Sequence, residues 1–272
     1  MKDMTLIVGA NGKTGGRVAA RLAARGVPVR AVSRSTAIPF DWDRPETWAA
    51  ALKGIARAYV TYQPDLAVDG ADAAIAHLAR LAREAGVSRM VLLSGRGEPG
   101  AQRAEAALRE SGLPWTIVRA SWFNQNFSEG HLLGGVPAGE LALPAGPVPE
   151  PFIDAGDIAD VAVAALTGTR HVNRLYEVTG PRALTFAEAA DEMSRAAGRT
   201  IRFREISAAD FAASMAGHAP PAVVELLLDL FTTVLDGRNS AVADGVPTAL
   251  GRPPRDFADY AGEMAARGVW RA

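Results

Sequence analysis

The chain has 272 residues, 49% of them hydrophobic and 22% charged, with a formal net charge of −1. At roughly 100–200 residues per domain this is one large domain or one and a half, with ample apolar material for a core. The near-zero charge excludes a general attraction to nucleic acid or an anionic membrane, and the absence of cysteine excludes disulfides, thiolate nucleophiles and Cys-ligated metals.

Short apolar runs alternate with helical patterns from the start. Residues 5–8 (TLIV) read as a first strand and 12–24 as a helix with Val18 and Leu22 on one face, closed by Gly26. Residues 27–33 read as a second strand, 38–41 as a short third, and 47–53 as a helix stopped by Gly54. A fourth strand follows at 56–61, then a helix at 68–85 with Ile75, Leu78 and Leu81 on a helical period. Residues 90–93 (MVLL) form a fifth strand, apolar on both sides as a sheet covered on both faces requires. A helix at 101–111 and a sixth strand at 115–120 complete the series. Repeated βα units demand parallel strands joined by right-handed crossovers.

After Ser121 the pattern loosens. The Gly- and Pro-rich stretch 134–151 reads as loop, 157–166 as a helix capped by Asp157, 175–179 and 201–206 as strands, and 186–197 as a helix closed by Gly198. Residues 221–235 are apolar on nearly every face, which predicts a helix packed in the core, a pocket wall or a subunit interface, core being the default. The fold class is α/β: a Rossmann-type doubly wound parallel sheet over residues 1–150, and a smaller, partly interleaved C-terminal substrate region over 151–272. No apolar stretch reaches the roughly 18–20 residues of a membrane span, and the opening MKDM does not read as a signal peptide. A cytoplasmic protein is predicted, monomer or homodimer, with a small-molecule substrate and neither nucleic acid nor membrane as partner. His77, His131, His171 and His218 are far apart in sequence, so no metal site is predicted.

The turn between the first strand and first helix carries chemistry. Val8-Gly9-Ala10-Asn11-Gly12-Lys13-Thr14-Gly15 spaces its glycines as G-x-x-G-x-x-G. The chain must turn sharply at Gly9, admit a pyrophosphate at Gly12 and pack helix on strand at Gly15. The helix N-terminus then offers N–H groups and a positive dipole end to phosphates. A dinucleotide cofactor follows. An NAD enzyme usually places Asp or Glu at the end of the second strand. Here that place holds Ser33-Arg34-Ser35, a guanidinium with hydroxyl neighbours, which suits the 2′-phosphate of NADPH/NADP. Lys13 adds charge. The plainer reading of Arg34 is a solvated surface arginine.

Ligands of an open parallel sheet sit beyond the carboxyl ends of its strands. The sixth strand runs out into Ser121, Trp122, Phe123, Asn126 and Phe127, flat side chains with amides that suit a pocket for a planar ligand; ordinary core aromatics are the equal alternative. Phe152 is a further pocket candidate. Arg119 either holds a ligand or pairs with Glu105 or Asp157. Short-chain dehydrogenases usually protonate the nascent alkoxide with a Tyr four residues before a Lys. None of Tyr59, Tyr62, Tyr176 and Tyr260 has a lysine four residues on.

The stretches GANGKTGGRV, SRS, FDWD, LLSGRGEPGAQRAEAALRESGLPWTIVRASWFNQNF and FIDAGDIADVAVAAL resemble the NmrA-like atypical short-chain dehydrogenases/reductases over nearly the whole chain. Within that family, SRS, FDW, SWFNQNFSEG and GRPPRDFADYA are similar to the fungal festuclavine/agroclavine dehydrogenases, and NmrA-type quinone reductases are also similar. The resemblance implies an NADPH-dependent reductase of iminium, quinone or related acceptors; the family also holds NADP(H)-binding redox sensors that act through a partner protein. By position it implies that Gly9, Asn11, Gly12, Lys13, Thr14 and Gly15 form the phosphate loop and that Arg34 reads the 2′-phosphate. Asp41 and Trp42 then border the adenine, and Thr61 and Ser94 lie beside the ribose and nicotinamide, Ser94 being the best-placed hydroxyl and a catalytic candidate only as a polar contact. Where the family often carries a charged residue or histidine, Gln102 is an amide, which puts a proton relay there in doubt.

Overall fold

The structure is a computed structural model that describes residues 4–271. In chain order the first part comprises β1 (Met4–Val8), α1 (Gly15–Ala24), β2 (Val29–Val32), α2 (Trp48–Leu52), β3 (Ile55–Val60) and α3 (Ala71–Glu84). Then come β4 (Arg89–Gly95), α4 (Pro99–Glu110), β5 (Trp115–Ala120), β6 (Glu140–Leu143), α5 (Ala155–Thr167) and β7 (Arg174–Val178). The remainder holds α6 (Phe186–Ala197), β8 (Arg202–Glu205), α7 (Ala208–Met215), α8 (Pro221–Asp229), α9 (Gly245–Leu250) and α10 (Phe257–Ala266).

The chain divides into two compact units that exchange segments. The first takes the residues up to Ala120, then Ala155–Val178 and Asp244–Arg252; the second takes Ser121–Asp154, Thr179–Ala243 and the residues from Pro253 on. The boundary therefore falls at Ala120 rather than at 150. The helix and strand that follow 154 return to complete the first sheet, a pairing that no local pattern announces.

The first unit is a six-stranded sheet in the order β2-β1-β3-β4-β5-β7, every pair parallel. The order reverses between β1 and β3, and a ligand crevice opens at such a switch point, beyond the strands' carboxyl ends. Leu6, Ile7, Ala58, Tyr59, Val60, Val91, Leu92, Ile117 and Val118 have no exposed surface, because helices cover both faces. α1 packs against α5 and α3 against α4. The apolar α5 ends on two strand arginines: Arg57 donates to the Leu166 carbonyl at 3.2 Å, and Arg89 to the carbonyls of Ala165 and Gly168. They satisfy carbonyls that a helix C-terminus leaves open. Burial, then the neighbouring Arg57, holds the Arg89 guanidinium below the usual arginine range.

The second unit pairs β6 with β8 in parallel and builds its core from rings, Phe127, Phe152, Phe186, Phe211, Phe231, Phe257 and Tyr260 among them. β6 lies in the stretch that reads as loop; its four residues are too few to stand out among glycines and prolines. The segment 38–41 is not a strand but irregular chain. Its alternating apolar residues serve ring packing instead, Phe40 lying against Trp42 and Trp48 at 5.0 and 5.7 Å. The apolar stretch 221–235 meets its expectation only in its second half, where Phe231, Val234 and Leu235 are buried; in α8 no residue is fully buried. α8 meets the core on one side only, through Val224, Leu227 and Leu228. Asp157 does not precede the helix but lies in the first turn of α5, which begins at Ala155, and it pairs with Arg252 at 2.7 Å.

Candidate cofactor site

Three glycines shape the turn after β1, each for a different reason. Gly9 has φ +80°, and a Cβ there would meet the Thr61 hydroxyl at 2.0 Å. A Cβ on Gly15 would meet the Gly9 carbonyl oxygen at 2.2 Å. At Gly12 the nearest atom, the same oxygen, lies at 3.2 Å, and the residue is exposed. The first two glycines are required by the fold itself. At Gly12 a Cβ would be tight against that backbone oxygen but less obstructed than at Gly9 or Gly15, and the exposed face it would occupy is open to the approach of a phosphate.

The backbone around the turn fits that group. Gly12 N–H donates to Gly9, Gly16 to Gly12 and Val18 to Thr14. The N–H groups of Asn11, Thr14 and Gly15 have no hydrogen-bond partner among the described residues. They stand at the N-terminus of α1, the positive end of its dipole, where α1 has no acidic residue in its first turn. That is a donor set for an anion. From below, Tyr59 of β3 donates to the Thr14 hydroxyl at 2.9 Å, both residues being buried. Burial pushes the Tyr59 hydroxyl far above the usual tyrosine range, so it stays a donor. No motif announces this support in the sequence, where Tyr59 reads only as a strand residue with no lysine four residues on.

Thr61 joins the turn at the switch point. Its hydroxyl donates to the Val8 carbonyl at 3.2 Å, and its own carbonyl accepts from the Trp42 indole at 3.2 Å. Trp42 packs on Phe40, Trp48 and Tyr62, with centroids at 5.0, 5.3 and 4.5 Å. Asp41 is tied through its backbone, its N–H to the Thr47 hydroxyl at 3.2 Å and its carbonyl to the Trp48 indole at 2.7 Å. Gly9, Thr61, Trp42 and Asp41 are thus one connected edge. Beside them the turn after β2 carries Arg34, which is exposed and has no hydrogen-bond or ion-pair partner among the described residues. Lys13 accepts at its carbonyl from the Arg17 guanidinium at 2.6 Å.

At β4, β5 and β7 the strand ends are arranged differently. Ser94, Arg119 and Glu177 are register neighbours, one row across three strands. Ser94 donates its hydroxyl hydrogen to the fully buried carboxylate of Glu105 at 2.7 Å. Arg119 grips that carboxylate with two bonds of 2.8 and 2.6 Å and reaches Glu177 at 3.2 Å. The hydrogen bond to Glu105 holds the Arg119 guanidinium above the usual arginine range despite its burial. Arg119 is therefore an ion-pair partner of Glu105, and not of Asp157. Ser94 has its one hydrogen committed inward. Gln102 points away, exposed on α4.

In the second unit, Trp122 lies against Phe186 and Phe231 at 5.4 and 4.9 Å and is half-buried, as are Phe123 and Asn126. Phe152, 2% exposed, is ringed by Phe127, Phe186 and Phe257 and is a core residue of that unit. Among the described residues no group of side chains could hold a metal ion, and no helix is long and apolar enough to cross a membrane.

Comparison with known proteins agrees with this geometry. A family model described as NAD(P)H-binding matches residues 9–169, and one described as the NmrA-like family matches 102–246. The chain is 34% identical to a (4-alkanoyl-5-oxo-2,5-dihydrofuran-3-yl)methyl phosphate reductase of Streptomyces griseus, over 96% of this chain and 98% of the relative. It is 33% identical to an NAD(P)H azoreductase of Xenophilus azovorans, over 97% and 98%. A festuclavine dehydrogenase of Aspergillus fumigatus is 29% identical, over 96% and 98%. Among solved structures, the NADPH complex of an NADPH-dependent quinone oxidoreductase from Escherichia coli superposes with a TM-score of 0.80 at 20% identity, covering 96% of this chain and 99% of that one, a likeness of fold.

Proposed function

The chain belongs to the NmrA-like family of NAD(P)H-binding proteins, and we propose that it is an NADPH-dependent reductase of flat, conjugated organic acceptors. The observation that carries this reading is the cradle of Gly9–Gly15, where the N–H groups of Asn11, Thr14 and Gly15 have no partner among the described residues. Asn11, Gly12, Lys13, Thr14 and Gly15 hold the pyrophosphate. Arg34 holds the 2′-phosphate, since no carboxylate stands at Ser33 or Ser35 to repel it. Asp41 and Trp42 border the adenine, and Thr61 and Ser94 the ribose and nicotinamide.

When bound, the cofactor supplies hydride. What the chain supplies is orientation and exclusion of water. Ser94 is not set to supply a proton, since it donates to Glu105, and no Tyr-x-x-x-Lys pair exists. Hydride addition to a simple ketone leaves a strongly basic alkoxide, which needs a donor. A quinone leaves a weakly basic phenolate-like anion, and an iminium ion becomes a neutral amine. The names of the relatives, with an acyl-substituted unsaturated lactone, an azo compound and a quinone, point the same way. Trp122, Phe123 and Asn126 are proposed to contact the acceptor, with Phe152 shaping the wall behind them.

The test is NADPH oxidation, followed at the nicotinamide absorbance, with a quinone and a cyclic iminium as acceptors. Turnover with NADPH that exceeds turnover with NADH is expected. A chain that binds NADPH tightly yet oxidises it with neither acceptor would instead be a sensor acting through a partner protein.

A further inference from the structure

We propose that Thr36 is a specificity-positioning residue: its hydroxyl closes the turn that presents the Arg34 guanidinium, and so sets the preference for NADPH over NADH. The inference rests on the assignment of Arg34 to the 2′-phosphate.

β2 ends at Val32, and the chain from Ser33 to Phe40 belongs to no helix or strand. Side-chain hydroxyls hold it instead. The Ser33 N–H donates to the Thr36 hydroxyl oxygen at 3.0 Å. That hydroxyl lies 2.7 Å from the Ile38 carbonyl oxygen and 2.9 Å from that of Ser33. With one hydrogen and two lone pairs it accepts from Ser33 and donates to one carbonyl at a time. The Ser33 carbonyl also receives the N–H of Phe40 at 3.0 Å and, at 3.4 Å, that of Thr36. Arg34 and Ser35 are the two residues spanned by this closure. Ser35 is held locally, its N–H donating to the Ser33 hydroxyl at 3.3 Å, whereas the Arg34 side chain is exposed and without a partner among the described residues.

The far end of the segment is fixed independently. The Phe40 ring is buried, and the Thr47 hydroxyl accepts the N–H of Asp41 at 3.2 Å. Loss of the Thr36 hydroxyl therefore loosens the stretch that carries Arg34 without releasing the rest. A loosened turn must be ordered again when the guanidinium engages a ligand, and that cost falls on binding. The 2′-phosphate is the one group that NADPH has and NADH lacks, so the cost falls on NADPH alone.

The experiment is calorimetric titration of the full chain with NADPH and with NADH, folding being checked by circular dichroism. The variants are Thr36→Val, Thr36→Ala, Thr36→Ser, Arg34→Ala and the double variant Arg34→Ala/Thr36→Val. Thr36→Val and Thr36→Ala should each weaken NADPH about three- to tenfold, as loss of an ordinary hydrogen bond does, and leave NADH within about twofold. Thr36→Ser, which keeps the hydroxyl, should match the parent. The double variant should be no weaker for NADPH than Arg34→Ala. Equal losses for both cofactors would mark Thr36 as merely structural and overturn the proposal, as would no loss for either. If Arg34→Ala abolishes the preference while both hydroxyl deletions keep it, the role of Thr36 alone is overturned. If Arg34→Ala keeps the preference, the 2′-phosphate assignment falls and the proposal with it.

Discussion

At the carboxyl ends of one parallel sheet, the β1–β3 side and the β4–β5–β7 side treat their polar groups in opposite ways. On the first, the N–H groups of Asn11, Thr14 and Gly15 and the guanidinium of Arg34 have no partner among the described residues. On the second, Ser94, Glu105, Arg119 and Glu177 satisfy one another in a continuous row. Folded chains pair their buried polar groups wherever they can. Donors left open at a helix N-terminus await an external anion, and groups already paired have nothing left to give a substrate. On the proposed reading, one side binds the cofactor, and the other holds its shape without Ser94 joining in proton transfer.

The sharpest way to break this contrast is at the glycines. Gly12→Val should remove NADPH binding altogether at a smaller cost in melting temperature than Gly15→Ala, because the Gly9 carbonyl oxygen, 3.2 Å from a new Cβ, need give way only slightly. Gly15→Ala should damage the fold itself, since its Cβ would lie 2.2 Å from the Gly9 carbonyl oxygen. If Gly12→Val still binds NADPH, the phosphates lie elsewhere. On the paired side, Glu105→Ala leaves the Arg119 guanidinium without its main partner, 17% exposed and reaching only Glu177. A broken buried pair costs about 3 kcal/mol or more, which at roughly 2–4 °C per kcal/mol lowers the melting temperature by about 6–12 °C. Thermal unfolding within a degree or two of the parent would show that the row is not the brace described. A smaller effect concerns salt. Arg34 is exposed, so its contribution is screened as the Debye length shrinks from about 10 Å at 0.1 M to about 3 Å at 1 M salt. The ratio of NADPH to NADH affinity should fall several-fold over that range, and a salt-independent ratio would argue for a buried reader. Least of all, Ser94→Ala should lower turnover by no more than about tenfold, the low edge of what acid–base catalysis contributes.

Much of the first unit was legible because its signals are local. The glycine spacing, the position of Arg34 after a strand, and the pairing of Arg119 with Glu105 as one of its options all follow from neighbours in sequence or from the βα rhythm. What was not legible depends on distant residues. The segment 38–41 alternates like a strand, yet the Phe40 ring packs sideways against Trp42 and Trp48, and the hydroxyls of Thr36 and Thr47 hold its backbone. β7 pairs with β5 across an excursion of the chain through the second unit, so the boundary at Ala120 leaves no mark in composition. α8 is apolar all round and still meets the core on one face, because burial is decided by what lies opposite. Tyr59 and Thr36 escaped notice as well. A hydroxyl that props another residue carries no motif.

The most direct measurement is steady-state oxidation of NADPH by the unaltered chain and by Ser94→Ala, across a quinone, a cyclic iminium ion and an unactivated ketone. With the Ser94 hydrogen given to Glu105 and no Tyr-x-x-x-Lys pair in the chain, the first two acceptors should turn over in both proteins, Ser94→Ala slowing them by at most about tenfold, and the ketone should give negligible rates in either. Robust reduction of the ketone that disappears in Ser94→Ala would contradict this, for it would mean that the hydroxyl turns away from Glu105 and delivers a proton during the reaction.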